Sequence, residues 1–73
     1  MKQGVLYFNK NSNRFDIRFD INDYYGGLYC GDSFEVFADG KWTSTRIEMN
    51  YETSEWYLVG ILSNDLNGLI VRI

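Results

Sequence analysis

Arg14-Phe-Asp-Ile-Arg-Phe-Asp20 alternates charged and apolar residues without interruption. Successive side chains of a β-strand point to opposite faces, so Phe15, Ile17 and Phe19 share one face while Arg14, Asp16, Arg18 and Asp20 share the other. That is the pattern of an antiparallel strand with one face on a core and one in water. Around it, every apolar pattern has period two, and no window holds the i, i+3, i+4, i+7 spacing of an amphipathic helix. The expected fold is all-β.

Upstream, Gly4 to Phe8 reads as a strand, and Asn9-Lys-Asn-Ser-Asn13 supplies the side chains that stabilise a turn, so the first two strands form a hairpin. Downstream, Ile21 to Asp32 breaks the alternation with Asn22, Asp23, Gly26, Gly27 and Gly31 and is expected to be the longest loop. A third strand, Ser33 to Ala38, turns inward Phe34 and Val36. Asp39-Gly40 then signals a two-residue hairpin turn, and a fourth strand runs from Lys41 to Met49 with Thr43, Thr45 and Ile47 inward. A fifth, Glu55 to Leu62, is apolar on both parities and is expected to be central or to bend between sheets. Leu69 to Ile73 makes a sixth. The predicted core is Phe15, Ile17, Phe19, Phe34, Val36, Ile47, Leu58, Leu69 and Val71. Short strands at turn spacings of this kind indicate a barrel or sandwich. At this length closure into a small barrel removes the exposed edges.

With 73 residues the chain forms one domain, residues 1–73. So small a domain usually needs a disulfide, a metal or dense aromatic packing. One cysteine cannot form an internal disulfide and there is no histidine, which leaves the 18% of aromatic residues as the stabilising device. Seven basic against ten acidic residues give a net charge of −3, the opposite of a phosphate-binding footprint, so nucleic acid is not the expected partner. The apolar run at the N-terminus is too short for a signal peptide or membrane span, and Cys30, read as half-buried and inert, suits a reducing compartment. A cytoplasmic protein without membrane attachment is expected.

Reactive constellations are missing. There is no Gly-rich phosphate loop, no Cys or His metal spacing and no Ser-His-Asp set, so no enzyme and no cofactor are expected. Asp16 and Asp20 read as solvated, and Glu35 and Glu48 as cross-strand ion-pair partners of Arg46 or Lys41. Asp20-Ile-Asn22-Asp23 and Asp65-Leu-Asn67-Gly68 each match a fragment of a calcium loop, but neither has the acidic residue at the twelfth position, and both read as turns. The aromatic residues outnumber what a core of this size can absorb, so several must lie on the surface. Trp42, Tyr24, Tyr25, Tyr57 and Arg46 are the candidate partner-binding residues.

Leu28-Tyr-Cys-Gly-Asp32-Ser-Phe-Glu-Val36, Gly40-Lys-Trp42, Arg46-Ile47 and Gly68-Leu-Ile-Val71 resemble, in order, the landmarks of SH3-like barrels. That resemblance covers the last forty-five or so residues and implies a small SH3-like barrel of five or six antiparallel strands. Of the residues lining the peptide groove of signalling SH3 domains, only Trp42 carries over. Across nearly the whole chain, Gly40-Lys-Trp-x-x-Thr45-Arg-Ile-Glu48, Trp56-Tyr-Leu-Val-Gly60 and Leu66-Asn-Gly-Leu-x-Val71-Arg-Ile73 look like a family of short bacterial proteins of unknown function. The resemblance implies a stand-alone small protein of the kind carried by phages and integrative elements, and it transfers no catalytic or binding residue.

These readings favour a non-enzymatic module that binds another protein. Two alternatives are an acidic inhibitor of a host nucleic-acid enzyme, which would gather Asp and Glu into one stripe, and a barrel that stacks nucleobases on its aromatic rings. A homodimer is a further expectation, formed by pairing the apolar last strand across a two-fold axis.

Overall fold

The computed structural model describes residues 1–73. Seven strands follow one another as β1 (Gln3–Asn9), β2 (Arg14–Asp20), β3 (Asp23–Tyr24), β4 (Ser33–Ala38), β5 (Lys41–Asn50), β6 (Glu55–Leu58) and β7 (Ile70–Arg72). All pairings are antiparallel, in the order β3-β2-β1-β7-β4-β5-β6. The all-β expectation holds, with β3 added inside the predicted long loop. No helix is long and apolar enough to cross a membrane.

The strand bounds follow from local chemistry. β2 and β4 begin and end where the alternation predicts. Asp39 and Gly40 take φ of 51° and 77°, the positive pair that a two-residue turn requires, and the turn sets Ala38 opposite Lys41 and Phe37 opposite Trp42. Beyond β3 the chain keeps bonding: the Tyr25 amide donates to Ile17 and the Leu28 amide to Phe15, both on β2. Further on, the Gly31 amide donates to the Ile47 carbonyl, and the Ile47 amide to Asp32. The run from Tyr25 to Asp32 therefore joins β2 to β5. It draws the two arms of the open sheet together into a barrel-like curl around one core.

That core comprises Leu6, Phe15, Ile17, Leu28, Phe34, Val36, Ile47, Leu58, Leu66 and Val71, with Phe19 and Leu69 half-buried against it. Seven of the predicted core residues are buried. Leu6, Leu28 and Leu66 complete the set, the last two from loops whose strand parity gives no warning. Thr45 is buried too, and its hydroxyl donates 2.8 Å to the Val59 carbonyl, tying β5 to the turn after β6.

Several expectations are overturned. The predicted strand Glu55 to Leu62 stops at Leu58: Gly60 turns with φ 80°, and Leu62 is fully exposed. β6 is accordingly an edge strand and not a central one. The last strand lies between β1 and β4, with both its edges used, and cannot pair across a two-fold axis. Cys30 is exposed. Glu35 pairs with Arg72 across the β4–β7 boundary, and Glu48 pairs with Arg46 on its own strand. Asp16 does not face water; its carboxylate is enclosed.

Candidate interaction face

Register places side chains in rows across the outer face of the sheet. Tyr24 on β3 stands opposite Arg18 on β2, Arg18 opposite Val5 on β1, and Val5 opposite Ile70 on β7. Val36 pairs with Val71, so the next step of that register sets Phe37 beside Ile70, and Phe37 is opposite Trp42. The result is one row over six strands: Tyr24, Arg18, Val5, Ile70, Phe37, Trp42. Val5, Phe37, Ile70 and Tyr24 are 42%, 42%, 41% and 45% exposed, which makes this an apolar band interrupted only by Arg18 and not a scatter of single residues.

Both ends of the row are held in place. At one end the Phe37 and Trp42 rings meet edge to face, 5.3 Å between centroids and 69° between planes. The Arg72 guanidinium lies over the Trp42 ring at 4.2 Å while its Nε donates to Glu35. Such contacts fix the rings and reduce the side-chain entropy that a partner would otherwise have to remove. At the other end Tyr7 and Tyr24 sit 5.8 Å apart. The Tyr7 hydroxyl donates 3.4 Å to Asp16 Oδ2. Asp16 Oδ1 accepts from three backbone N–H groups, those of Ile17, Gly26 and Gly27, at 2.8, 2.9 and 2.8 Å. The single carboxylate thus ties the Gly26-Gly27 loop down onto β2 beside the aromatic row.

Burial, and then the Asp16 carboxylate, push the Tyr7 phenol above its ordinary 10.0. The unfolded chain therefore releases this proton at a lower pH than the folded one, so its contribution is complete below about pH 10 and declines as pH rises through the folded value. Urea midpoints taken from pH 9 to 11 are expected to fall less steeply for Tyr7→Phe than for the wild type. An equal slope in both proteins would assign the alkaline loss to other groups.

Of the residues singled out from sequence, Trp42 and Tyr24 lie in the row. Arg46 and Tyr57 flank Glu48 at the β5–β6 end, Arg46 held by its ion pair and Tyr57 opposite Glu48 in register. Tyr25 is exposed on the edge after β3, outside the row. Val5, Phe37 and Ile70 were missed. Phe37 had a readable signal, since the Asp39-Gly40 turn by itself sets it opposite Trp42. Val5 and Ile70 had none, because their pairing joins the two ends of the chain.

The model of one family, described as a domain of unknown function (DUF5348), matches residues 4–73. A crystal structure of a protein from Ruminococcus gnavus, a structural genomics target, is similar over 97% of this chain and 99% of its own, with 44% sequence identity and a TM-score of 0.88. No curated protein matches the chain.

Proposed function

We propose that this chain, which belongs to the bacterial family described as a domain of unknown function (DUF5348), is a non-enzymatic SH3-like module that binds another protein through the outer face of its sheet. The observation that carries this reading is the row Tyr24–Arg18–Val5–Ile70–Phe37–Trp42, apolar but for Arg18, one side chain wide, exposed at Tyr24, Val5, Ile70 and Phe37, and locked at both ends. Rigid aromatic anchors amid aliphatic side chains are what hot spots of protein interfaces are made of. Asp23, Glu35 and Glu48 each sit in an ion pair, with Lys2, Arg72 and Arg46, which disperses the acidic charge and favours this reading over a phosphate-mimicking inhibitor. Asp16, the one buried carboxylate, is occupied by backbone donors and serves the loop. The exposed, unpaired Cys30 suits action in the cytoplasm.

The test is affinity capture from the cells that encode the protein, comparing the wild type with Val5→Thr/Phe37→Thr/Ile70→Thr. All three positions are exposed and threonine keeps strand propensity, so melting temperature should change little. A partner retained by the wild type and by Tyr57→Thr but lost from the triple variant is the expected result. The same set of proteins on both baits would place the interaction elsewhere on the molecule.

A further inference from the structure

At the Tyr24 end the row opens into a groove of about 630 Å³, walled by Val5, Tyr7, Ile21 and Tyr24 and bordered by Arg18. Ile21 is 70% exposed, so this end carries a large unpartnered apolar surface. Arg18 is the cation of the row and, unlike Arg46 and Arg72, takes part in no ion pair. Its Nε donates 3.2 Å to the Asp20 backbone carbonyl. That bond orients the guanidinium and leaves its two terminal nitrogens, the edge that grips a carboxylate with two parallel hydrogen bonds, unused by the protein. The neighbouring Asp20 carboxylate accepts from the Ile21 amide through Oδ1 and is the only anion bordering the groove.

The dimensions of the row favour a narrow occupant. Six strands at about 4.8 Å spacing make a band about 24 Å long, which an extended segment of roughly seven residues would span. A stable dimer of two such faces would need about 800 Å² from each copy. Meeting that would require nearly the whole broad side of a molecule measuring 33 × 30 × 19 Å, far more than one row of side chains.

Building on the interaction reading above, we propose that the face takes an extended segment of a partner protein in which an Asp or Glu adjoins a bulky apolar residue. Arg18 receives the carboxylate end-on, and the apolar side chain lies in the groove between Ile21 and Tyr24. A single cation selects the partner, whereas a nucleic acid platform would need positive charge along its length.

The experiment is selection from a displayed library of random heptapeptides, followed by binding of the enriched sequences as N-acetylated, C-amidated peptides, which carry no terminal carboxylate. Enriched peptides are expected to hold Asp or Glu beside Leu, Ile, Phe or Trp, and changing that acid to its amide should weaken binding about tenfold or more. Arg18→Gln should weaken the acidic peptide to the same degree while leaving its amide version unchanged, and Asp20→Asn, which removes a competing anion, should tighten it. Enrichment of peptides without an acid, or binding indifferent to Arg18→Gln, would overturn the assignment to Arg18 while leaving the interaction face standing. No enrichment at all would overturn the peptide assignment, and the capture experiment with the triple variant would decide the face separately.

Discussion

Asp16→Ala is expected to lower the stability of the fold by about 3–5 kcal/mol, a large part of the roughly 4–11 kcal/mol that a chain of this length has available. The side chain is 5% exposed, and its Oδ1 is the acceptor for three backbone N–H groups. Hydrogen bonds to an ionised acceptor contribute more than neutral ones, and their removal leaves partly buried donors without partners. The Gly26 and Gly27 amides can recover water only if their loop lifts from β2. That movement would also pull on Leu28, which is fully buried and donates its amide to Phe15. Asp16→Asn keeps one carbonyl oxygen for the amides and can turn its NH2 group toward the Tyr7 hydroxyl, which accepts as readily as it donates. The asparagine variant is therefore expected to lose only about 1–2 kcal/mol. Urea unfolding followed by tryptophan fluorescence would separate the two. Equal midpoints for both variants would mean that the negative charge of Asp16, and not its volume or a neutral oxygen acceptor, sets its role, since asparagine keeps the volume and one acceptor and alanine keeps neither. The alanine variant should also lose protection of the Gly26 and Gly27 amides from hydrogen exchange before any other part of the sheet.

The same residue shows where sequence reasoning succeeds and where it stops. In Arg14-Phe-Asp-Ile-Arg-Phe-Asp20 the alternation correctly assigns Phe15 and Ile17 to the core and Arg18 to the outer face, because strand geometry is local and has period two. It assigns Asp16 to solvent for the same reason. Its burial depends on a loop ten residues downstream folding back over it, and nothing in a strand's own pattern reports what will cover its outer face. The Asp39-Gly40 hairpin was legible in full, down to the Phe37–Trp42 pair, since a two-residue turn fixes register. Glu55 to Leu62 was overread: apolar composition suggested a covered strand, but Gly60 turns the chain and Leu62 stands in water. β7 was recognised as a strand, yet its place between β1 and β4 depends on pairing across the length of the chain, which no local signal encodes. The interaction row suffers most from this limit. It is assembled from five different pairings, and only the one closed by a tight turn could be read beforehand.

Gly4→Ala is expected to be comparably damaging, although it adds a single methyl group on a strand of ordinary sequence. Gly4 is buried on β1, opposite Val71 of β7. A Cβ placed there would lie 2.6 Å from the Arg18 carbonyl oxygen, 2.6 Å from Ile17 Cγ2 and 2.9 Å from Phe19 Cδ1. The side chains of Ile17 and Phe19 could shift a few tenths of an ångström, but the Arg18 carbonyl is part of β2 and moves only if the β1–β2 ladder does. Overpacking of this kind ordinarily costs about 1–3 kcal/mol, and forcing apart paired strands takes it to the upper end or beyond. Replacing Gly by Ala would otherwise stabilise a strand slightly by restricting the unfolded chain, so the expected sign is set by the clash and not by backbone entropy. The measurement is the urea midpoint of Gly4→Ala beside that of a second Gly→Ala variant, Gly26→Ala. Gly26 has a φ of 111° with no atom near the position of a Cβ, so its substitution carries backbone strain but no overlap. A larger loss at Gly4 would identify close approach of β1 to β2 as the reason a glycine stands there; a smaller loss would show that the two strands can part at that point without disturbing the core.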